Sequence, residues 1–209
     1  MEIKGLYKIK KKEQEQFLET VWDVFQSFPK KEFFDMKAET VQAAQKAAVW
    51  YFVNYEMKYG SAFSSDETIR DSVCVIHSDE MNATQERYRA AGSYGPEFEK
   101  AMAKLTGGQK KYWWDLFEEF DRQEANLDLP YPHLYLDYLG VREAWRRQGR
   151  GRRMVQAVCD YASSVKLPIV LFTNTEEDIR FYESLGFREL DIISSEEFDF
   201  FYTYMVKDA

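Results

Sequence analysis

Hydrophobic positions change their period along this chain, and the changes divide it into helices and strands. Residues 2–9 alternate loosely and predict a short strand. Over 11–27, Phe17, Leu18, Val21, Val24 and Phe25 recur at helical spacing, and Pro29 lies just past the pattern. A second helix is predicted over 39–58, with Gly60 placed to cap its C-terminus. Two strands follow, Ser61–Thr68 and Asp71–His77, and a tight turn between them would make a hairpin. The second contains the run Val73-Cys74-Val75-Ile76. Residues 80–128 read as helical and polar, broken at Gly92–Pro96 and at Gly107-Gly108. Within them Lys110–Asn126 carries Trp113, Trp114, Phe117 and Phe120 on one face, either as core packing or as an aromatic wall over a pocket.

The second half changes character. His133–Val141 is the strongest strand in the chain, and its parity predicts that Tyr135, Asp137 and Leu139 share a face. A helix over 149–165 has Met154, Val155, Val158 and Ala162 on one side. Leu167–Phe172 is apolar throughout, as in a strand covered on both faces. Glu176–Leu185 predicts a short helix with Gly186 beyond it, and strands over Phe187–Ile193 and Phe198–Val206 close the chain. Strand, turn, helix and strand in this order form a βαβ unit. No internal repeat interrupts the pattern.

Composition narrows the reading. A chain of 209 residues suits one domain with a sizeable core, here 1–209 with a helical insertion at about 80–130. Cys74 and Cys159 form no C-x-x-C pair, so a reducing, cytoplasmic setting is expected. The first residues lack the apolar core of a signal peptide, and no stretch is long and apolar enough for a membrane span. Two isolated histidines predict no metal site.

Charge changes the picture most. Arg142, Arg146, Arg147, Arg150, Arg152 and Arg153 fall within twelve residues that include one acid, Glu143. This window carries +5, which leaves −13 for the rest of a chain whose net charge is −8. That balance argues against general nucleic-acid binding. Gly149 and Gly151 lie inside the arginine run, directly before the apolar helix. Glycines admit an anion close to the backbone, and a helix start offers unpaired N–H groups and the positive end of a dipole. Neither G-x-x-x-x-G-K-[ST] nor G-x-G-x-x-G is present, since Met154 stands where the latter needs glycine. The turn follows [R/Q]-x-x-G-x-[G/A] instead, met by Arg146, Gly149 and Gly151.

Here the chain resembles the GNAT superfamily of acyl-CoA-dependent N-acyltransferases. One anchor is Leu139-Gly140-Val141-Arg-Glu-Ala-Trp-Arg146-Arg-Gln-Gly149-Arg-Gly151, with Glu143 where proline is frequent. The other is Asn174-Thr175-Glu-Glu-Asp-Ile-Arg-Phe181-Tyr182-Glu183-Ser184-Leu185-Gly186-Phe187. In the second, Thr175 stands where an asparagine is expected, with Asn174 one place early. A finer resemblance, to the puromycin N-acetyltransferase-like branch, rests on His133-x-Tyr135-Leu136-x-x-Leu139-Gly140-Val141.

The resemblance implies an α/β GNAT fold: a mixed, mostly antiparallel sheet flanked by helices, with the insertion before the central strand. Strands 133–141 and 167–172 would be parallel neighbours that diverge to admit acetyl-CoA, the co-substrate. Arg146, Arg147, Gln148, Gly149, Arg150, Gly151 and Arg152 would hold its pyrophosphate. Backbone groups of Leu139, Gly140 and Val141, with Asn174 and Thr175, would hold the pantetheine arm, and the strand would polarise the thioester. Tyr182 would be the general acid. Asp137 is the first choice of general base. Tyr135 and His133 are alternatives on the same strand, and His77 and Glu80 follow the preceding one. Cys159 reads as core.

The implied reaction is direct transfer of an acetyl (acyl) group to a primary amine of a small molecule, by a monomer or homodimer, with no nucleic-acid or membrane partner. The acidic remainder of the chain suits a cationic acceptor. Other readings are an acyl-CoA sensor without turnover, an enzyme acting on a protein or aminoacyl-tRNA amine, and an interaction protein built on an exposed aromatic helix.

Overall fold

The computed structural model describes residues 1–25, 38–78 and 84–209. Pro29 and Glu80 lie outside the described residues. The strands are β1 (Tyr7–Lys8), β2 (Ser61–Ser64), β3 (Ser72–Ser78), β4 (Leu134–Val141), β5 (Ile169–Thr173), β6 (Arg188–Ser195) and β7 (Phe200–Lys207). They form one sheet in the order β1-β2-β3-β4-β5-β7-β6. Only β4 and β5 are parallel; the other neighbours are antiparallel. This is the mixed, mostly antiparallel sheet expected.

Helices cover both faces. On one lie α6 (Arg150–Val165) and α7 (Glu176–Glu183). Met154, Val155, Val158, Cys159 and Tyr182 pack there on Cys74, Ile76, Leu134, Leu136, Ile169 and Leu171. The opposite face is shared. Over β2 and β3 lie α1 (Gln14–Phe25) and α2 (Ala38–Tyr59), through Phe17, Leu18, Val21 and Val53. Over β5–β7 lies α5 (Gly107–Glu124), through Leu116. The helices α3 (Gln85–Ala91) and α4 (Pro96–Ala103) join α5 to α2 through an aromatic cluster around Tyr51 and Trp113. Tyr51 stacks on Tyr88 at 4.3 Å and meets Phe98 at 5.0 Å.

Three expectations are corrected. The β2–β3 connection spans residues 65–71, longer than a tight turn. The break expected at Gly107-Gly108 falls over 104–106, directly before them, and the glycines open α5. Thr106 Oγ1 accepts from the Gln109 amide at 3.2 Å, and Gln109 Oε1 accepts from the Thr106 amide at 2.9 Å. This capping box satisfies donors at the helix start, so the glycines are tolerated there. The aromatic helix is not an exposed surface either: Trp113 is fully buried and Leu116 is buried.

A further correction concerns β4. Its register with β3 shifts between Val75, opposite Tyr138, and Ile76, opposite Leu136, so Asp137 is an extra residue, a β-bulge. A bulge reverses the side-chain alternation beyond it. Leu134 and Leu136 pack toward α6, and so does Leu139, whereas Tyr138 packs toward α1 and α2. Tyr135 faces α5. Leu139 therefore does not share a face with Tyr135. Among the described residues no helix is long and apolar enough to cross a membrane.

Candidate active site

Parallel pairing of β4 with β5 is confined to Leu134–Ile169 and Tyr135–Val170. Beyond Tyr135 the strands separate, which leaves the β5-facing backbone edge of β4 without a strand partner as far as Val141. A cavity of about 1240 Å³ occupies this splay, lined from both faces of the sheet. Its wall includes Leu139, Gly140 and Val141, the turn residues Arg146, Arg147, Gly149, Arg150, Gly151 and Arg152, and Asn174, Thr175 and Tyr182. Asp137, His77, His133 and Tyr135 line it too. Gln148 belongs to the same turn, and its side chain donates to the Ala144 carbonyl at 3.2 Å.

Local sequence explains the turn. Gly149 has φ +72° and forms the N-cap of α6 with no side chain to accept its first amides. Those N–H groups have no partner within the helix. At Gly151 a Cβ would meet Val141 Cγ2 at 3.5 Å, an ordinary contact, so packing within the protein does not require glycine there. At Gly140 it does: a Cβ would come within 2.3 Å of Val24 Cγ1, because α1 crosses β4 at that point.

The six arginines divide. Arg142 pairs with Asp23 at 2.7 Å, and Arg150 pairs with Asp71, which is 3% exposed. These two tie the turn to α1 and to the start of β3. Arg146 Nε donates to the Val141 carbonyl at 3.0 Å, Arg152 to Ser184 Oγ at 2.6 Å and Arg153 to the Gln148 carbonyl at 3.1 Å. Those acceptors are neutral. Among the described residues Arg146, Arg147, Arg152 and Arg153 have no carboxylate partner.

Tyr182 is 8% exposed, on the cavity side of α7 between Phe181 and Phe187. Burial pushes its hydroxyl well above the ordinary phenol range, so it stays protonated at neutral pH. Thr175 caps α7, accepting from the Asp178 amide at 3.1 Å, so its hydroxyl is committed to the helix start.

Carboxylates dominate the opposite end. Oxygen or nitrogen atoms of Glu56, His77 and Asp137 lie within 4.8 Å of one another, close enough to converge on a single cation. Burial, and then the charge of Glu124, pushes Asp137 up to about 7. Burial, and then Asp137, raises Glu56. Glu56 is 6% exposed, and its Oε2 has no hydrogen-bond partner. Glu124 Oε1 accepts from Tyr135 at 2.9 Å and from Tyr204 at 2.7 Å. Asp121 also lines the cavity, and burial and Glu124 raise it to about 6. His77 stacks on Tyr135 at 5.0 Å, and His133 Nδ1 lies 2.6 Å from the Pro130 carbonyl.

Glu56, Asp121 and Glu124 were absent from the sequence-based candidates, although a signal for them existed. Glu56 follows Phe52 by four positions, and Glu124 follows Phe120 by four. Each therefore continues an aromatic helical stripe, where a solvated acid is not expected. Cys159 is buried in the core, as its position on α6 predicted.

Comparison with known proteins agrees with this geometry. Residues 107–187 match the family described as the acetyltransferase (GNAT) family. No curated protein sequence matches the chain. Among solved structures, one described as histone acetyltransferase HPA2 and related acetyltransferase, from Corynebacterium glutamicum, is similar with a TM-score of 0.64 at 14% identity, over 99% of this chain and 97% of that one. An agmatine N-acetyltransferase mutant has a TM-score of 0.60 at 13% identity, over 98% of each chain. A polyamine N-acetyltransferase of Drosophila melanogaster has a TM-score of 0.57 at 11% identity, over 98% of this chain and 99% of that one. The finer resemblance to the puromycin branch gains no support from these relatives. Residues 107–187 thus match the GNAT acetyltransferase family, whose co-substrate is acetyl-CoA, and the chain has the fold of those acetyltransferases over nearly its whole length.

Proposed function

We propose that this chain, acting as one unit over 1–209, transfers the acetyl group of acetyl-CoA directly to the primary amine of a small cationic molecule. One observation carries the reading: a single cavity runs through the β4–β5 splay from an arginine-rich helix start to a group of carboxylates that no Lys or Arg side chain among the described residues neutralises. The first end suits phosphates and the second suits a cation.

The pyrophosphate would lie on the backbone amides at 148–152, with Arg146, Arg147 and Arg152 supplying positive charge. Gly151, which packing does not require, leaves room for that approach. Arg150 would contribute its amide, since its charge is held by Asp71. The pantetheine arm would run along the open edge of β4 at Leu139–Val141, past Asn174 and Thr175, as a strand-like partner. Acetyl-CoA supplies the activated thioester; backbone N–H groups of β4 would polarise its carbonyl.

Asp137 would accept the proton that the amine loses as its nitrogen bonds to the carbonyl carbon. Its carboxyl, raised to about 7, is ionised in a useful fraction near neutral pH and remains basic enough to take a proton. The C–S bond breaks, and Tyr182 would protonate the departing thiolate. Its neutral phenol at the cavity wall suits that role.

Purified protein with acetyl-CoA and a panel of primary amines, followed by release of free thiol, tests the proposal. Thiol release that depends on a small amine is expected, and is lost in Gly149→Glu, which removes the positive-φ glycine and adds an acid to the turn. No release with any amine, from protein that also fails to bind acetyl-CoA in calorimetry, would overturn it.

A further inference from the structure

We infer that the acceptor carries two cationic nitrogens separated by a hydrocarbon spacer, one to be acetylated beside Glu56 and Asp137, the other held by Glu124. The inference rests on the acetyltransferase reading and narrows its acceptor.

Six carboxylates line the cavity; Glu177 and Asp178 belong to the first turn of α7, and the other four are Glu56, Asp121, Glu124 and Asp137. Among the described residues none of these four pairs with a Lys or Arg side chain. The arginines of the same cavity all belong to the turn at 146–152, on the cofactor side. Carboxylates removed from water without a countercharge are costly, and a bound cation offsets that cost. Glu56 points to a ligand most directly, as an almost fully buried carboxylate whose Oε2 has no hydrogen-bond partner.

The acids form two groups rather than one. Glu56 and Asp137 converge with His77 at the bulge of β4. Glu124 projects from the last turn of α5 and is held in place by two tyrosines, Tyr135 at 2.9 Å and Tyr204 at 2.7 Å, both on its Oε1. Two donors on one oxygen fix the carboxylate and leave Oε2 for a ligand. The neighbouring wall is aromatic: Phe120 lies 5.5 Å from Phe172 and 5.6 Å from Tyr202, and Phe172 lies 5.0 Å from Tyr202. Methylene groups bury favourably against such a wall, and a terminal ammonium ion gains cation–π attraction. A monoamine of equal length would leave Glu124 without a countercharge.

The test compares terminal diaminobutane with butylamine as acceptors, in the wild type and in Glu124→Gln, which retains an acceptor oxygen for the two tyrosines. The expected result is a kcat/KM for the diamine about tenfold or more above that for the monoamine, since one well-placed ion pair is worth at least about tenfold in affinity. In Glu124→Gln that ratio falls toward one. Thermal shift gives a reading independent of turnover: the diamine raises the wild-type Tm in the presence of CoA and the monoamine does so less. Asp121→Asn, at the more exposed acid, serves if Glu124→Gln does not fold, and is expected to lower the same ratio in part. Equal kcat/KM for the two amines, or a ratio unchanged in both variants, would overturn the inference while leaving the acetyltransferase reading intact. Absence of thiol release with every amine would remove both.

Discussion

Leu136 and Leu139 point to the same side of β4, toward α6, although they are three residues apart in one strand. The bulge at Asp137 makes this possible. The extra residue also bends the strand and increases its local twist. It lies two residues beyond the last β4–β5 pair, at Tyr135. The bulge therefore places an acid at the cavity wall close to where β4 parts from β5. The role proposed for Asp137 depends on that coincidence.

Asp137 predicts a pH dependence for both stability and rate. An unfolded aspartate titrates near 4, whereas in the folded chain Asp137 titrates at about 7. Between these values the native state holds a proton that the unfolded state has released, so stability falls as pH rises from about 4 through 7. Asp137→Asn should make that decline shallower, measured as Tm between pH 5 and 8. It should also lower turnover by about 10²–10⁴, the usual contribution of a general base. In the wild type kcat/KM should rise as pH passes 7 and then level off.

Tyr182→Phe removes one hydroxyl from a ring packed between Phe181 and Phe187. Packing is retained, so the Tm should change little. If the phenol protonates the leaving sulfur, kcat falls about a hundredfold while calorimetric affinity for acetyl-CoA stays near that of the wild type. A purely structural tyrosine would give the reverse pattern.

Gly140 is confined by α1. Gly140→Ala would press a methyl group into Val24, whose Cγ1 lies 2.3 Å from the ideal Cβ position. Overpacking of this kind costs about 1–3 kcal/mol. The double variant with Val24→Ala should recover much of the loss, because it removes the atoms in the way. Denaturant melts of the four proteins in this cycle give the coupling directly.

The Asp71–Arg150 pair anchors the start of α6 to β3. Asp71 also accepts from Ser65 Oγ at 2.5 Å and Ser72 Oγ at 2.9 Å. Asp71→Ala leaves Arg150 part-buried without its countercharge, which predicts a loss of about 3–5 kcal/mol in chemical denaturation. Acetyl-CoA affinity should fall as well, since the turn loses its tether.

The sequence by itself determined the elements whose signals are local. The capped helices, the apolar run of β5 and the turn at Gly149 follow from backbone conformation and periodicity within a few residues. The glycine-arginine turn and the Phe181-Tyr182 segment were legible because both depend on short-range spacing, and the structure brings them to one cavity. Only the tertiary structure decided which arginines keep an uncompensated charge, since Asp23 and Asp71 lie far from them in the chain. It also decided the orientation of β4, because a bulge exists only relative to a partner strand and reverses the alternation that the sequence implies. Glu56 and Glu124 lie on different helices, and their helical stripes marked them as unusual without showing what they face. Long-range packing set them in the same cavity, where no Lys or Arg side chain among the described residues pairs with them.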